Sequence, residues 1–371
     1  MDPSGPLSVF IVGTRAQLIK VAPVIVACEA RAHPVLLLMT GQHKETMQDL
    51  IEEFGIRSRQ EVAVVAQERS TVLSLFRWIP SAYFGLVRKL KLLKMQGQAT
   101  NVVVHGDTMS TVLGALAARQ SACKVFHLES GLTSGKLLDP FPEELSRRVV
   151  FRLTDIAVCP SAESADHMRS RYRCQVVDSG ENTIVDSVMM AIQANSDGVP
   201  HAKLSDPYFV ASLHRFQNIF DGKRLRFLVN LLVGLAERYP IHFVLHPATR
   251  KRLEAEGLLA TLAAVPNINL SPRLGYRAFL ALASEAACVL TDGGSNQEEL
   301  AVLGVPTVVM RQHTERMDGL GQNAVMENDI GEGLLEYCLS SQFEVLRRPS
   351  RIKQAMGPSA MVADLLSQAV D

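Results

Sequence analysis

Short apolar, β-branched runs alternate with longer stretches of helical period from one end of the chain to the other. Runs of this kind, bounded by turn residues, predict strands buried on both faces, and the stretches between them predict crossover helices. In the first half, strands are expected near 9–12, 35–38, 102–104, 124–126, 156–159 and 175–177. Around 195–207 the pattern lapses into Asn, Ser, Asp, Gly and proline, which predicts a linker. Alternation restarts at 208–211, 241–245, 268–270, 288–291 and 307–310. The expected fold class is α/β, with two doubly wound Rossmann-type domains at 1–195 and 196–349. A helical segment at 350–371 is expected to pack back on the first domain. Polar residues past the strands of both halves would line a central cleft.

Composition narrows the function classes. Of 371 residues, 47% are apolar and 20% charged, the profile of a globular chain. The 38 basic and 38 acidic residues cancel, so no global field draws nucleic acid or membrane, and an anionic ligand needs local cations. The 6 cysteines are scattered without metal-ligand spacing. They read as buried thiols of a reducing compartment, and a cytoplasmic location is expected. The stretch at 84–94 mixes leucine with Arg88, Lys89, Lys91 and Lys94 and reads as a solvated amphipathic helix.

Chemistry-bearing residues collect just beyond the predicted strands. His105-Gly106-Asp107-Thr108 follows one and His127-Leu128-Glu129-Ser130-Gly131 another, while Pro140-Phe141-Pro142-Glu143-Glu144 is a third polar segment. In a parallel sheet Asp107 and Glu129 open onto one crevice, and with Glu143 they form a candidate group for proton transfer. Any one of them alone reads equally well as a helix cap or first-turn acid; the three together favour chemistry. Mutual repulsion among them should raise the pKa of at least one. Gly13-Thr14-Arg15, followed by Lys20, offers close backbone approach and positive charge for a phosphate, without a P-loop or a Gly-x-Gly-x-x-Gly fingerprint. In the second half, Asp292-Gly293-Gly294-Ser295-Asn296-Gln297-Glu298-Glu299 predicts a bare helix N-terminus for a diphosphate and a glutamate one turn in for ribose hydroxyls. His214, Arg215, His246 and Arg311 also follow strands there.

The ordered set of motifs resembles the UDP-N-acetylglucosamine 2-epimerase family, non-hydrolysing type, from about residue 8 to residue 330. It includes Gly13-Thr14-Arg15 with Lys20 and Ala22-Pro23, Thr40-Gly41-Gln42-His43, Phe54-Gly55-Ile56 and the Asp107 and Glu129 segments. Pro142-Glu143-Glu144 with Arg147, His214-Arg215 with Asn218, Gln297-Glu298-Glu299, and Arg311 with Thr314-Glu315-Arg316 complete it. The resemblance implies the two-domain GT-B fold and epimerisation at C2 through loss of UDP, a 2-acetamidoglucal intermediate and re-addition. It implies that Asp107, Glu129 and Glu143 shuttle protons, that Arg147 organises them, and that Arg15, Lys20 and His214 hold the diphosphate. Phe279 falls where relatives contact uracil, Gly293, Gly294 and Ser295 form the phosphate loop with Arg311 nearby, and Glu299 would hold the ribose. Gln42, Arg69, Arg215 and His246 match a regulatory site for a second UDP-sugar. No metal or other cofactor, a homodimer, and a role in cell-surface polysaccharide synthesis are further implications.

The chain departs from the family pattern at Ala16-Gln17, Ser130, Glu181, Gln217, Gly293-Gly294-Ser295 and Met317-Asp318. These departures leave open another UDP-2-acetamido sugar as substrate. A hydrolysing epimerase, a GT-B glycosyltransferase and a catalytically silent sensor are the alternatives. Exchange of the C2 proton with solvent separates the epimerases from the other two.

Overall fold

The computed structural model describes residues 6–41, 47–64, 72–98, 100–136, 141–196, 206–314, 317–352 and 355–368. Contacts divide the chain into two units, Met1–Ser187 with Lys353–Asp371, and Val188–Ile352. The division falls inside the helix Ile184–Ser196, upstream of the Asn- and Pro-rich stretch.

The first unit is built on a parallel sheet of seven strands: β1 (Leu7–Val12), β2 (Val35–Met39), β3 (Arg59–Val62), β4 (Thr100–His105), β5 (Lys124–Leu128), β6 (Ile156–Cys159) and β7 (Gln175–Asp178). Their order is β3-β2-β1-β4-β5-β6-β7, so the winding reverses between β1 and β4. The helix Val72–Met95 shows why one face is covered. Trp78, Ala82, Leu86, Leu90 and Leu93 recur at helical spacing and are buried against Val9, Ile11, Leu36, Leu38, Val102 and Val104. Each fully buried leucine contributes about 2 kcal/mol by removal from water. The helix Pro358–Gln368 packs on the helix Arg15–Ala30 of the same unit. Asp186, buried, accepts the N–H groups of Gly357 (3.0 Å) and Ser359 (2.8 Å), and Arg31 pairs with Asp364 (2.6 Å).

The second unit carries a parallel sheet of six strands: β8 (Phe209–Ser212), β9 (Ile241–Leu245), β10 (Ile268–Pro272), β11 (Cys288–Thr291), β12 (Thr307–Val309) and β13 (Ala324–Met326). Their order is β10-β9-β8-β11-β12-β13, and the winding reverses between β8 and β11. Open α/β sheets leave a crevice for ligands at the carboxyl ends of the strands flanking such a reversal. Arg15 follows β1 and Asp107 follows β4, with Glu129 one strand over after β5; in the second unit His214 follows β8 and Asp292 follows β11.

β3 and β13 were not among the expected strands. Arg59-Gln60-Glu61-Val62 is too polar to read as a buried strand, and Ala324-Val325-Met326 is too short. Both are edge strands, where polarity and shortness discourage pairing with other chains. Among the described residues no helix is long and apolar enough to cross a membrane.

Candidate active site

In the first unit the end of β1 is tied to the end of β4 by one neutral side chain. Thr14 caps the helix Arg15–Ala30, its hydroxyl accepting the Gln17 N–H (3.2 Å). Gln17 is buried; its Oε1 accepts the Gly13 N–H (2.9 Å), and its Nε2 donates to the His105 carbonyl (2.8 Å) and the Thr111 hydroxyl (2.9 Å). The Thr111 hydroxyl in turn donates to the His105 carbonyl (2.7 Å), and Thr108 caps the helix Met109–Gln120. The amide satisfies buried polar groups without bringing a charge out of water, and it steadies the turn that carries Asp107.

Asp107 Oδ2 accepts from Arg147 Nε (2.8 Å) and Nη2 (2.6 Å). Arg147 lies one turn into the helix Glu143–Leu153, and its Nη1 is 3.6 Å from Glu144 Oε2. Glu144 is wholly buried, yet it receives Thr133 Oγ1 (2.6 Å), the Ser134 N–H (3.2 Å) and Arg148 Nε (3.0 Å). Burial alone would raise its pKa; these donors outweigh burial and hold it below the usual carboxylate value. Glu143, the first residue of that helix, is partly exposed and has no hydrogen bond or ion pair among the described residues.

Glu129 sits in the left-handed region at φ 59°, a conformation that costs a non-glycine residue about 1 kcal/mol. Its carboxylate is nearly buried, pairs with Lys20, accepts from the Asn182 amide, and stands 3.8 Å from His105 Nε2. The turn is braced on one side by the Ser130 N–H bonded to the Val158 carbonyl (2.9 Å). Behind it, a Cβ on Gly131 would fall 2.2 Å from the Ser164 carbonyl oxygen, so only glycine fits. A Cβ placed on Gly106 would lie 3.8 Å from Glu129 Oε1, so the Asp107 and Glu129 loops touch.

His127 joins the same two loops. Its Nε2 is 2.8 Å from the Gly106 carbonyl oxygen and its Nδ1 is 3.0 Å from Ser130 Oγ. A carbonyl can only accept, so the proton is on Nε2 and the Ser130 hydroxyl donates to Nδ1. Burial pushes the His127 pKa down to about 4, which keeps this linker neutral.

Two of the expected phosphate-binding cations are engaged within the unit. Arg15 forms a bidentate pair with Asp49 (2.5 and 2.5 Å), and Lys20 pairs with Glu129. The bare repulsion expected within the carboxylate trio is also modified, because Asp107 and Glu129 each have their own cation.

In the second unit Asp292, fully buried, organises the loops after β8 and β11. It accepts the N–H groups of His214 (3.0 Å) and Arg215 (2.9 Å) and the Asn218 amide (2.8 Å), while Arg311 Nε donates to its carbonyl (2.6 Å). The helix Gly294–Leu303 begins at Gly293 with no side-chain cap, leaving its first N–H groups for a ligand. A Cβ on Gly293 would stand 3.3 Å from His214 Cε1, so glycine lets the imidazole lie against this turn. Burial lowers the His214 pKa, Asp292 opposes that, and Arg215 and Arg311 add to it. Ser295 lies in the first turn and is partly exposed, and Glu299 is buried one turn further on.

A family model described as UDP-N-acetylglucosamine 2-epimerase matches residues 27–329. The chain belongs to this family. The UDP-N-acetylglucosamine 2-epimerase of Salmonella borreze is 28% identical over 335 residues, 85% of this chain and 84% of that protein. Among solved structures, the Methanocaldococcus jannaschii UDP-GlcNAc 2-epimerase in complex with UDP-GlcNAc and UDP superposes with a TM-score of 0.76 at 25% identity, covering 97% of this chain and 99% of that one. The Neisseria meningitidis UDP-GlcNAc 2-epimerase bound to UDP-GlcNAc gives the same TM-score, 0.76, at 23% identity, over 97% of this chain and 99% of that one. The two parallel sheets with alternating helices are the GT-B-type architecture of these epimerases.

Several departures from the epimerase pattern acquire structural reasons. Gln17 and Ser130 each complete a hydrogen-bond set around the carboxylate loops, and the extra residue Glu181 still leaves Asn182 on Glu129. The positioning roles of His127 and Asn182 were missed by sequence reading. A polar residue inside a buried β5 was the available signal for His127. Phe279 is almost buried on the helix Tyr276–Ser284, which leaves its ring little open surface. His246 caps the helix Pro247–Ala255, its Nδ1 accepting the Ala248 N–H (3.3 Å), and its ring lies 5.5 Å from that of His214. Gln42 and Arg69 lie outside the described residues.

Proposed function

We propose that this protein inverts C2 of UDP-N-acetylglucosamine, giving UDP-N-acetylmannosamine by elimination and re-addition of UDP. The observation that carries the reading is the pair Asp107 and Glu129, on touching loops at the ends of adjacent strands, each with its own cation. The C2 hydrogen of the sugar is not next to a carbonyl, so a base alone removes it slowly. Departure of the diphosphate supplies the driving charge. As the C1–O bond breaks, its electron pair leaves with UDP, one carboxylate takes the C2 proton, and the C2–H pair becomes the C1=C2 bond of the glucal. A carboxylate facing the other side then returns a proton to C2, and UDP adds back to C1.

Carboxylates near the ring also stabilise the positive charge that develops there. Glu143, at the start of the helix bearing Arg147, is the third member of the shuttle. In this reading the bare N-terminus of Gly294–Leu303, with Gly293, Gly294 and Ser295, holds the diphosphate together with His214 and Arg311, and Glu299 takes the ribose. Within the first unit Arg15, now paired with Asp49, is a cation that a phosphate could recruit, while Lys20 acts through Glu129.

The product test is a proton and phosphorus NMR time course on UDP-N-acetylglucosamine. A new UDP-linked anomeric signal that reaches equilibrium with the substrate is expected. Free N-acetylmannosamine accumulating with UDP would move the protein to the hydrolysing class, and an inert substrate would move it to another UDP-2-acetamido sugar.

A further inference from the structure

A concavity of about 370 Å³ opens in the first unit, lined by Arg148, Phe151, Arg152, Arg171, Tyr172 and Arg173, none of which is a candidate catalytic residue. Its floor is aromatic: Phe151 is buried, and the Tyr172 ring stands edge-on to it at 5.3 Å. Four arginines line a space at the small end of the size range of small-molecule sites.

Ordinary structural duties account for part of this charge. Arg148 spends Nε on Glu144, and Arg152, in the last turn of the helix Glu143–Leu153, donates Nη1 to the Arg148 carbonyl (2.9 Å). Arg171 ends the helix Ala162–Arg171, where a cation suits the carbonyl end. Yet the side chains of Arg171 and Arg173 make no hydrogen bond or ion pair among the described residues, whereas that of neighbouring Arg169 pairs with Asp166 (3.0 Å). Such a surplus of planar donors around one recess is the arrangement that oligophosphates satisfy.

We propose that this recess is a binding site for a small phosphate-bearing anion carrying at least two phosphate groups, such as inorganic pyrophosphate or the phosphate tail of a nucleotide. The terminal nitrogens of Arg171 and Arg173 grip the phosphates, and Arg148 and Arg152 complete the positive wall. The recess is linked to the carboxylate loops through a run of side chains: Arg148 holds Glu144, Glu144 faces Arg147, and Arg147 holds Asp107. The proposal does not depend on the identity of the sugar substrate.

His167 provides a local reporter, since its ring lies 6.0 Å from Tyr172. Burial lowers its pKa, Arg171 and Arg148 lower it further and Glu144 opposes them, so an anion seated among the arginines should raise it. The full chain is titrated with pyrophosphate at low salt, following the His167 imidazole signals by NMR, with His167→Gln for assignment. Saturable shifts of His167 with a rise in its pKa are expected, weakening as salt is added. In Arg171→Ala/Arg173→Ala the affinity should fall about tenfold or more. Arg171→Lys/Arg173→Lys, which preserves the charge and the exposed surface, should retain part of it. A nucleoside diphosphate binding more tightly than pyrophosphate would assign the recess to a nucleotide; equal affinity would assign it to phosphate alone. Pyrophosphate binding that leaves His167 unmoved, or that is equally tight in the double alanine variant, would overturn the proposal.

Discussion

Acid should destabilise the first unit through His127. An imidazole with a pKa of 6.5 when exposed, lowered to about 4 in the fold, takes up its proton in the unfolded chain first. Between those values the unfolded state binds more protons, so stability rises with pH through that window. It is fully present above the unfolded pKa and is lost as pH falls towards the folded one. The whole displacement corresponds to about 3 kcal/mol, of which about 2 kcal/mol is already lost between pH 7 and pH 5. The single tryptophan, Trp78, is buried in the first unit with Nε1 donating to the Thr40 carbonyl (3.1 Å), so its fluorescence follows that unit's unfolding in urea. Other groups also titrate in acid, and His127→Gln isolates the term, because its amide can donate to Gly106 and accept from Ser130. The variant should lose about 2 kcal/mol less than the parent between the two pH values. Equal losses in both proteins would refute a buried, neutral His127.

Three further outcomes follow from the site. Lys20→Met strands the Glu129 carboxylate in a nearly buried position and should cost about 3–5 kcal/mol in urea unfolding, with Lys20→Met/Glu129→Gln recovering stability but not activity. Asp107→Asn can still accept from Arg147, so the melting temperature should hold while turnover falls about 100- to 10,000-fold. His214, its pKa lowered mainly by burial, should gain a proton when a diphosphate binds beside it. UDP affinity should then rise as pH is lowered towards 6, and calorimetry in buffers of different ionisation enthalpy should register proton uptake that His214→Asn abolishes.

The architecture was legible because strands buried on both faces must be continuously apolar, and runs such as Val102-Val103-Val104 stand out against their flanks. β3 escaped because it is polar and β13 because it is three residues long, whereas the other two edge strands, β7 and β10, keep an apolar pair that stands out. Asp107 and Glu129 were legible as acids just past strands, but their partners were not. Lys20 read as a phosphate ligand because nothing local reveals that a residue 109 positions away will meet it in the fold. Arg15 is the same case, with Asp49 lying 34 residues further on. Gln17 and Ser130 looked like losses of a usual residue. Their hydrogen bonds to His105, Thr111 and His127 are long-range or buried polar contacts, and sequence spacing carries no information about them.

Deuterium incorporation at C2 tests the central claim most directly. UDP-N-acetylglucosamine is incubated with the protein in D₂O, and the C2 proton signal is followed in the wild type, Asp107→Asn and Glu129→Gln. The account predicts that the wild type places solvent deuterium at C2 of a sugar still linked to UDP, and that both substitutions slow the exchange together with epimerisation. Epimerised UDP-sugar that retains its original C2 proton, or exchange undiminished in both variants, would contradict it.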